Sequence, residues 1–482
     1  MKSTFTLALS RRGFLAGSAA AGAAASLRPA WADTPKHYTL RAAPGRARLV
    51  PEPWGETDIW CYGGAVPGPE IRVRQGDRLR IAVANALDDD TTVHWHGLRV
   101  PNAMDGVPHL TQAPIAPGET FTYAFDAIDA GTFWYHPHQR SFEQVGRGLY
   151  GALIIEEVNP PRVDREMVWV LDDWRLTQEA GIAEDFGGFH DMSHGGRLGN
   201  TVTINGRVPD AVPVRAGERV RLRLINAANA RIFALDFGDL APQVIALDGQ
   251  PVTPHASQDA RGWVVIGPAM RVDLMIDMTG APGETLTITD RFFADRNFEV
   301  VDLAYSETPL RDAPPDWDMA LAPNPLPEPD ITRARRHDVT FTGGMMGGMV
   351  EREMGLSGSS GMMGGGMMSR MHDGGIWLVN GVAAEGHILD PMLVLERDIS
   401  HVIAMTNATA FHHPIHLHGH SFRVISRNGV PTAHREWQDT VLMAPRERVE
   451  IAFVADNPGD WMFHCHILEH QAGGMMGVIR VA

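Results

Sequence analysis

Short runs in which apolar and polar residues alternate recur along the whole chain. Residues 71–74, 79–83 and 220–224 are clear examples, each with a period of two. Because successive side chains of a β-strand point to opposite faces of the sheet, this alternation predicts half-buried strands. Gly, Pro, Asn and Asp bound the runs, and the periodicity of amphipathic helices is scarce. The pattern therefore predicts an all-β chain.

One strand–turn–strand pattern occurs three times. The segments 73–78 and 214–219 match closely, and a looser copy covers 395–398. Each copy leads into an Asn-Ala pair, which begins at Asn85, Asn226 or Asn407. Copies this far apart predict three β-domains, built as Greek-key sandwiches or barrels, rather than a solenoid of short repeats.

The repeats and the loops between them predict the domain boundaries. The three domains are expected at 38–158, 163–308 and 335–482, with a linker at 309–334. The linker is rich in Pro between residues 314 and 329, a composition typical of extended connections.

The segment 343–375 in the third domain is rich in Gly and Ser and carries many methionines. These are Met345, Met346, Met349, Met354, Met362, Met363, Met367, Met368 and Met371. So much Gly does not favour a packed core, and the segment is predicted to form a mobile loop. Thioether sulfur is a soft ligand that selects Cu(I), so these methionines are candidate ligands for that ion.

Charge and hydropathy exclude two classes of partner. The chain has 482 residues, 44% of them hydrophobic, and a formal net charge of −16. An acidic surface disfavours nucleic acid and anionic lipid and favours cations. Outside the N-terminal segment no apolar run approaches the ~18 residues that suggest a membrane span.

The N-terminal segment 1–32 has the organisation of a signal peptide. Arg11 and Arg12 precede a weakly apolar run rich in Ala and Gly, and Ala30-Trp31-Ala32 provides small residues before a cleavage point. The paired arginines resemble the twin-arginine export signal. The sequence therefore predicts export to the periplasm by the twin-arginine machinery.

Only two cysteines occur, Cys61 and Cys465. Cys465 lies among histidines and is a candidate metal thiolate, which leaves Cys61 without a partner. Cys61 is therefore predicted to be a buried free thiol.

Four histidine clusters carry the candidate chemistry, and each contains a His-x-His pair. The clusters are His94-Trp95-His96, His136-Pro137-His138, His413-Pro414-Ile415-His416-Leu417-His418 and His464-Cys465-His466-Ile467-Leu468-Glu469-His470. Residues i and i+2 of a strand share a face. The four pairs are thus expected to present eight imidazoles to one site between the first and third domains. We interpret the isolated histidines as ordinary surface or core residues: His190, His194, His255, His372, His401, His412 and His434.

The fourth cluster indicates which metal. A Cys thiolate, two His and a weak axial Met form the ligand set of blue-copper electron-transfer sites. Cys465, His470, Met475 and the distant His413 supply this set. Zinc favours four firm ligands and does not use a weak thioether. On a strand the Cys465 side chain points away from its two His neighbours, so the thiolate can hold one copper while the imidazoles reach others.

Together these motifs resemble those of the multicopper oxidase family, and the resemblance covers the whole chain after residue 32. It implies three cupredoxin-like domains and four copper ions. The implied ligands are His413, Cys465, His470 and Met475 for the type 1 copper; His94 and His416 for the type 2 copper; and His96, His136 and His466 with His138, His418 and His464 for the type 3 pair. It also implies one-electron oxidation of a substrate, with electron transfer through Cys465 and reduction of O2 to water.

Reduction of O2 consumes protons, so an acid is expected near the cluster. Asp105 stands at the family's carboxylate position and is the predicted proton relay. Some bacterial members place a Glu directly after the last type 1 His, where this chain has Gln471. Glu469 is near in sequence but is expected to face elsewhere on a regular strand.

The methionine-rich segment resembles the insertion of bacterial cuprous oxidases, which implies oxidation of Cu(I) to Cu(II) in copper tolerance. Those enzymes place an Asp and a Met before the first type 1 His, where this chain has Thr409 and Phe411. Methionines of the segment, or Asp191, Met192 and His194, are candidate substitutes.

Three other functions stay open on the sequence. One is a laccase-like oxidase of phenols or aromatic amines. Another is an exported copper-binding or scaffolding protein without activity. The third is a nitrite reductase or simple electron carrier, which has no need of eight paired histidines.

Overall fold

The computed structural model describes residues 34–257, 259–356, 375–384, 386 and 390–482. Strands make up 45% of the structure and helices 6%, in six sheets, which confirms the all-β prediction. The predicted signal peptide, His372 and five of the segment's methionines lie outside the described residues: Met362, Met363, Met367, Met368 and Met371.

Residues 36–156 form two four-stranded sheets. Their strands are β1 (Lys36–Ala47), β2 (Thr57–Tyr62), β3 (Gly68–Arg74), β4 (Arg78–Asn85), β5 (His94–His96), β6 (Thr120–Asp126), β7 (Gly131–His136) and β8 (Gly151–Glu156). The sheet orders are β2-β1-β4-β6 and β3-β8-β7-β5. The second sheet carries the first two histidine clusters at its edge, on β5 and β7.

Residues 165–305 form a six-stranded and a five-stranded sheet. Their strands are β9 (Arg165–Trp174), β10 (Thr201–Ile204), β11 (Val212–Val214), β12 (Arg219–Asn226), β13 (Phe233–Asp236), β14 (Gln243–Leu247), β15 (Gln250–Ala256), β16 (Val264–Ile266), β17 (Arg271–Asp277), β18 (Thr285–Asp290) and β19 (Phe298–Tyr305). The sheet orders are β10-β9-β12-β17-β14-β15 and β11-β19-β18-β13-β16.

Residues 335–481 form the last two sheets. Their strands are β20 (Arg335–Gly343), β21 (Trp377–Val379), β22 (Leu393–Leu395), β23 (Ser400–Asn407), β24 (His413–Leu417), β25 (Phe422–Arg427), β26 (Val430–Pro431), β27 (Trp437–Gln438), β28 (Thr440–Met443), β29 (Arg448–Val454), β30 (Gly459–Cys465) and β31 (Met476–Val481). The orders are β21-β20-β23-β29-β25-β26, with β27 beside β25, and β22-β31-β30-β24-β28. The third and fourth clusters lie on or directly after β24 and β30.

The repeated Asn has the same structural role in all three copies. Asn85 ends β4, and its side-chain amide donates to the carbonyls of residues 89 and 115. Asn226 and Asn407 end β12 and β23 and likewise donate to two backbone carbonyls each. In each copy the side-chain oxygen accepts an N–H two residues on. The repeat therefore fixes the same loop three times and confirms the common architecture.

The helices within the described residues are few and short. They are α1 (Ser141–Gln144), α2 (Phe189–Ser193), α3 (Gly347–Glu353) and α4 (Leu468–Ala472), with a 3-10 turn at Asn102–Met104. The prediction that residues from 343 onward form a mobile loop was wrong for the first part of that segment, because residues 347–353 form helix α3. Its N-terminal flank requires the left-handed conformation of Met346 (φ 69°). Among the described residues, no helix is long and apolar enough to cross a membrane.

Each pair of sheets encloses an apolar core, and buried charges join the first pair to the second. The three cores are centred on residues such as Trp95, Leu222 and Trp461, all 1% exposed or less. Arg221 of β12 is fully buried and pairs with Glu157 and Asp273 at 2.6 and 2.7 Å. A buried cation of this kind is tolerated because two carboxylates compensate it.

Candidate metal centre

The strand pair β24–β30 brings the third and fourth clusters together. In the antiparallel register Ile415 is opposite Cys465 and His416 is opposite His464. Because side chains alternate along β30, Cys465 points into the core of the third domain while its His neighbours face the first domain.

Three ligand atoms meet at Cys465. Its Sγ lies 3.4 Å from Nδ1 of His413 and 3.7 Å from Nδ1 of His470, and the two nitrogens are 3.1 Å apart. These separations suit ligands that each lie about 2.0–2.3 Å from one ion. Met475 is fully buried in the same cluster, and its backbone carbonyl accepts the N–H of Cys465. The structure thus brings together the four residues of the blue-copper prediction.

Burial prepares these side chains for a metal. It lowers the pKa of His470 to about 3, so this imidazole is neutral at neutral pH and its Nδ1 lone pair is free. Burial also raises the pKa of the Cys465 thiol, so a bound cation is needed to hold it as the thiolate.

The far edges of the two imidazoles are fixed by hydrogen bonds. Nε2 of His470 lies 2.6 Å from the carbonyl of His194, directly after α2, and must donate to it. Nε2 of His413 lies 2.8 Å from Oγ1 of Thr409. The ring of Trp377 packs against both, with centroids 5.1 Å from His413 and 4.2 Å from His470. Thr409, which occupies a position where cuprous oxidases were said to place a metal-binding side chain, thus orients the ring of His413 instead.

Some of the other residues that could replace the missing Cu(I)-binding side chains already contact neighbouring side chains. Asp191 is held by Arg175 through two contacts of 2.8 and 3.0 Å, so it is not a free ligand. The rings of His190 and His194 stack at 4.2 Å on the surface beside Phe411.

Eight histidines meet between the first and third domains, all 5% exposed or less. Antiparallel pairing puts His94 opposite His136 on β5 and β7. Ligand nitrogens lie within 4.8 Å of one another in the triplets His94/His96/His416, His94/His138/His418, His96/His136/His466 and His416/His418/His464. Two short contacts join partners expected to share an ion, His136–His466 at 3.3 Å and His418–His464 at 3.1 Å.

Several imidazole nitrogens of the cluster have no hydrogen-bond partner among the described residues. Nε2 of His94, Nε2 of His416 and Nδ1 of His96 are buried and have no hydrogen-bond partner within the described structure, and neither ring nitrogen of His138 has one. Burying such groups without partners is costly. Burial also lowers the pKa of most of these imidazoles, which leaves neutral rings with free lone pairs. Several metal ions, copper included, would satisfy these nitrogens, so the residues fit the group that the motifs imply.

Asp105 touches a histidine from each side of the cluster. It is fully buried, with Oδ2 2.9 Å from Nδ1 of His418 and Oδ1 3.2 Å from Nδ1 of His94. Its backbone carbonyl also lies 2.8 Å from Nδ1 of His94. Asp105 therefore fixes both rings with their Nε2 atoms directed inward.

Sequence reasoning missed Asp439, which has the equivalent place on the other side. Its Oδ1 lies 3.1 Å from His96 and 3.3 Å from His416. The only sequence feature that could have suggested it is an Asp-Thr pair at the start of β28, since Thr440 contacts the same two rings.

Glu469 lies in a helical turn, because the chain leaves strand β30 after Cys465 and forms helix α4. The strand assumed for Glu469 was therefore wrong, but its carboxylate does face elsewhere: it accepts from Asn229 at 2.9 Å and from the N–H of Arg197 at 3.1 Å. Gln471 approaches Ser141 at 3.5 Å. Cys61 is fully buried and free, as predicted.

Comparison with known proteins identifies the family. Three multicopper oxidase family models match residues 47–160, 165–296 and 367–482. Multicopper oxidase MmcO of Mycobacterium tuberculosis is 31% identical, over 97% of this chain and 95% of the relative. The chain belongs to the multicopper oxidase family. The oxidase is thus a copper-dependent oxidoreductase that uses O2 and a reducing substrate.

Solved structures agree with this assignment. The oxidase is similar to a multicopper oxidase from Pseudomonas thermotolerans, with 34% identity, a TM-score of 0.80 and coverage of 93% of this chain and 100% of that one. A multicopper oxidase from Campylobacter jejuni, described as a metallo-oxidase, has 27% identity and a TM-score of 0.76 over 92% and 91%. Related proteins carry the names laccase and copper resistance protein A.

Proposed function

We propose that the oxidase binds four copper ions and oxidises Cu(I) to Cu(II) with O2 as the electron acceptor. The proposed ligands are His413, Cys465, His470 and Met475 for type 1 copper; His94 and His416 for type 2; and His96, His136, His466, His138, His418 and His464 for the type 3 pair. Bound there, copper supplies one-electron chemistry at the first site and four-electron reduction of O2 at the cluster. The reaction balances as 4 Cu⁺ + O2 + 4 H⁺ → 4 Cu²⁺ + 2 H2O.

The protein itself provides a path for electrons between the two copper sites and a group that delivers protons. Cys465 is bonded through the backbone to His464 and His466, so the covalent path from the thiolate to the proposed trinuclear site is short. Asp105 is the proposed proton relay, because it is a buried carboxylate in contact with two of the cluster's imidazoles.

One contact carries the Cu(I) proposal. The N–H of Met345 donates to the carbonyl of Ser193 at 2.8 Å, and the next residue, His194, accepts from His470. The methionine-rich segment therefore starts against the residues that cover the type 1 ligand. Met346 and Met349 expose 52% and 37% of their surface there. Soft sulfur ligands are thus available to Cu(I) where electrons must enter.

Replacing the nine methionines between 345 and 371 with Leu tests this role. Leu keeps the apolar bulk and removes the sulfur. We expect kcat/KM for Cu(I) to fall by about 10–100-fold, the range typical when groups that support a metal site are lost. Turnover of a phenol should stay near the wild-type value. Both rates are measured by O2 consumption.

Met167→Leu, on β9 in the second domain, is the matched control. Unchanged Cu(I) turnover in the variant with nine Met→Leu substitutions would contradict the proposal that the methionine-rich segment binds Cu(I). A much higher rate with phenols than with Cu(I) in the wild-type protein would favour the laccase-like alternative. The aromatic side chains of Trp377 and Phe411 beside the type 1 histidines support that alternative.

The proposed location of the protein is the periplasm, with residues 1–32 as the export signal. Replacing Arg11 and Arg12 with Lys is expected to leave the protein in the cytoplasm with its N-terminus uncleaved, since a receptor recognises the paired arginines. The readouts are cell fractionation and the intact mass of the product. An unaltered periplasmic yield, or a mature protein that does not begin near Asp33, would contradict the proposal.

A further inference from the structure

A buried ion pair connects the middle domain to the histidine cluster. Arg271, the first residue of β17, contacts both carboxylate oxygens of Asp439, with Nη1 2.9 Å from Oδ1. Both side chains are 1% exposed or less. Two parallel contacts of a guanidinium with a carboxylate fix the orientation of both groups.

Asp439 in turn selects the tautomers of two histidines. Its Oδ1 lies 3.1 Å from Nε2 of His96 and 3.3 Å from Nδ1 of His416, and its backbone carbonyl lies 2.8 Å from the same Nδ1. These two nitrogens therefore carry the protons. The opposite nitrogens then carry the lone pairs, and these are atoms without a hydrogen-bond partner in the described structure. Asp439 therefore directs a nitrogen of His96 from the first domain through its carboxylate, and a nitrogen of His416 from the third domain through its carbonyl and carboxylate, into the cluster.

Asp248, in the turn between β14 and β15, holds the pair from the other side. Its Oδ2 accepts the backbone N–H groups of Asp439 and Thr440 at 3.1 and 3.0 Å. Its Oδ1 accepts the N–H of Arg271 at 3.0 Å. A single turn of the middle domain thus binds both partners of the ion pair.

The glycine after the first histidine pair belongs to the same arrangement. A Cβ on Gly97 would lie 2.3 Å from Nη2 of Arg271 and 2.5 Å from Oδ2 of Asp439. Its φ of +84° also favours Gly. The ion pair therefore occupies the space that a side chain at residue 97 would need.

We propose that the Arg271–Asp439 pair, anchored by Asp248, is a positioning device by which the middle domain sets the ligand geometry of the trinuclear site. This domain supplies none of the proposed copper ligands. The inference rests on the proposed assignment of His96 and His416 as ligands. Arg271 acts through Asp439 and is not itself one of the proposed ligands.

Arg271→Gln in the copper-loaded protein tests the proposal, with Arg221→Gln as the matched control. Both arginines are buried in the middle domain and paired with carboxylates, but of the two only Arg271 pairs with a carboxylate that contacts histidines of the cluster. We expect Arg271→Gln to change the electron paramagnetic resonance spectrum of the type 2 copper. Copper should pass from the cluster to a chelator about 10–100-fold more readily. The blue absorption of the type 1 site should persist in both variants, and Arg221→Gln should keep the wild-type type 2 spectrum.

Arg271→Lys is the second variant. Lys keeps the charge but cannot form two parallel contacts, so partial recovery of copper retention is expected. Equal type 2 spectra and copper retention in the Arg271 and Arg221 variants would overturn the proposal. If Arg271→Gln does not fold, wild-type values for Arg271→Lys would overturn it. A wild-type protein that is blue but has no type 2 copper would instead refute the proposed ligand assignment.

Discussion

Cys465→Ser should lose its blue colour and its oxidase activity while keeping the fold. A Ser hydroxyl is a neutral, hard group that cannot replace a thiolate between His413 and His470. The loss of activity should exceed the roughly 10–100-fold typical of groups that only support a ligand. The variant should bind one copper ion fewer than the wild type. Visible absorption, copper content and O2 consumption measure the losses of colour, of copper and of activity.

Cys61→Ser provides the control, because Cys61 is the other buried free thiol, lies on β2 of the first domain and belongs to none of the proposed ligand sets. It should keep the colour and the activity. Retention of the blue band in the Cys465 variant, or its loss in the Cys61 variant, would mean that the thiolate has been assigned to the wrong residue.

Asp105→Asn should slow O2 reduction strongly without removing copper. Asn has nearly the same size, but it cannot carry a proton to the cluster and offers only one acceptor oxygen to His94 and His418. Positioned proton transfer contributes about 10²–10⁴-fold to rate, so a fall in kcat within this range is expected. Reoxidation of the fully reduced protein by O2, followed at the blue band, isolates the affected step.

Asp129→Asn is the matched variant for Asp105. Asp129 is also a buried acid of the first domain, but it pairs with Arg99 at 2.8 and 2.9 Å. Its replacement should lower stability and leave reoxidation unchanged. Equal reoxidation rates in the two variants would show that Asp105 is not part of the proton route.

The features that the sequence predicted well are local ones. Alternation along a strand is set within two residues, so the opposite directions of Cys465 and its His neighbours could be derived from their order alone. The three Asn residues that end β4, β12 and β23 also repeat a local hydrogen-bond pattern, and this made the number of domains visible.

The features that it missed depend on packing between distant parts of the chain. Asp439 lies where the three domains meet, in contact with Arg271 of the middle domain, His96 of the first and His416 of the third. The helical turn that redirects Glu469 forms where β30 ends. Helix α3 forms in a segment whose Gly content argued against regular structure, which shows that composition alone did not decide its local fold.

Anomalous diffraction at the copper edge, from crystals of the copper-loaded protein, would locate each bound ion. We expect one peak between His413, Cys465 and His470 and three peaks among the eight histidines that join the first and third domains. Absence of copper from the histidine cluster, or a single peak there, would contradict this expectation.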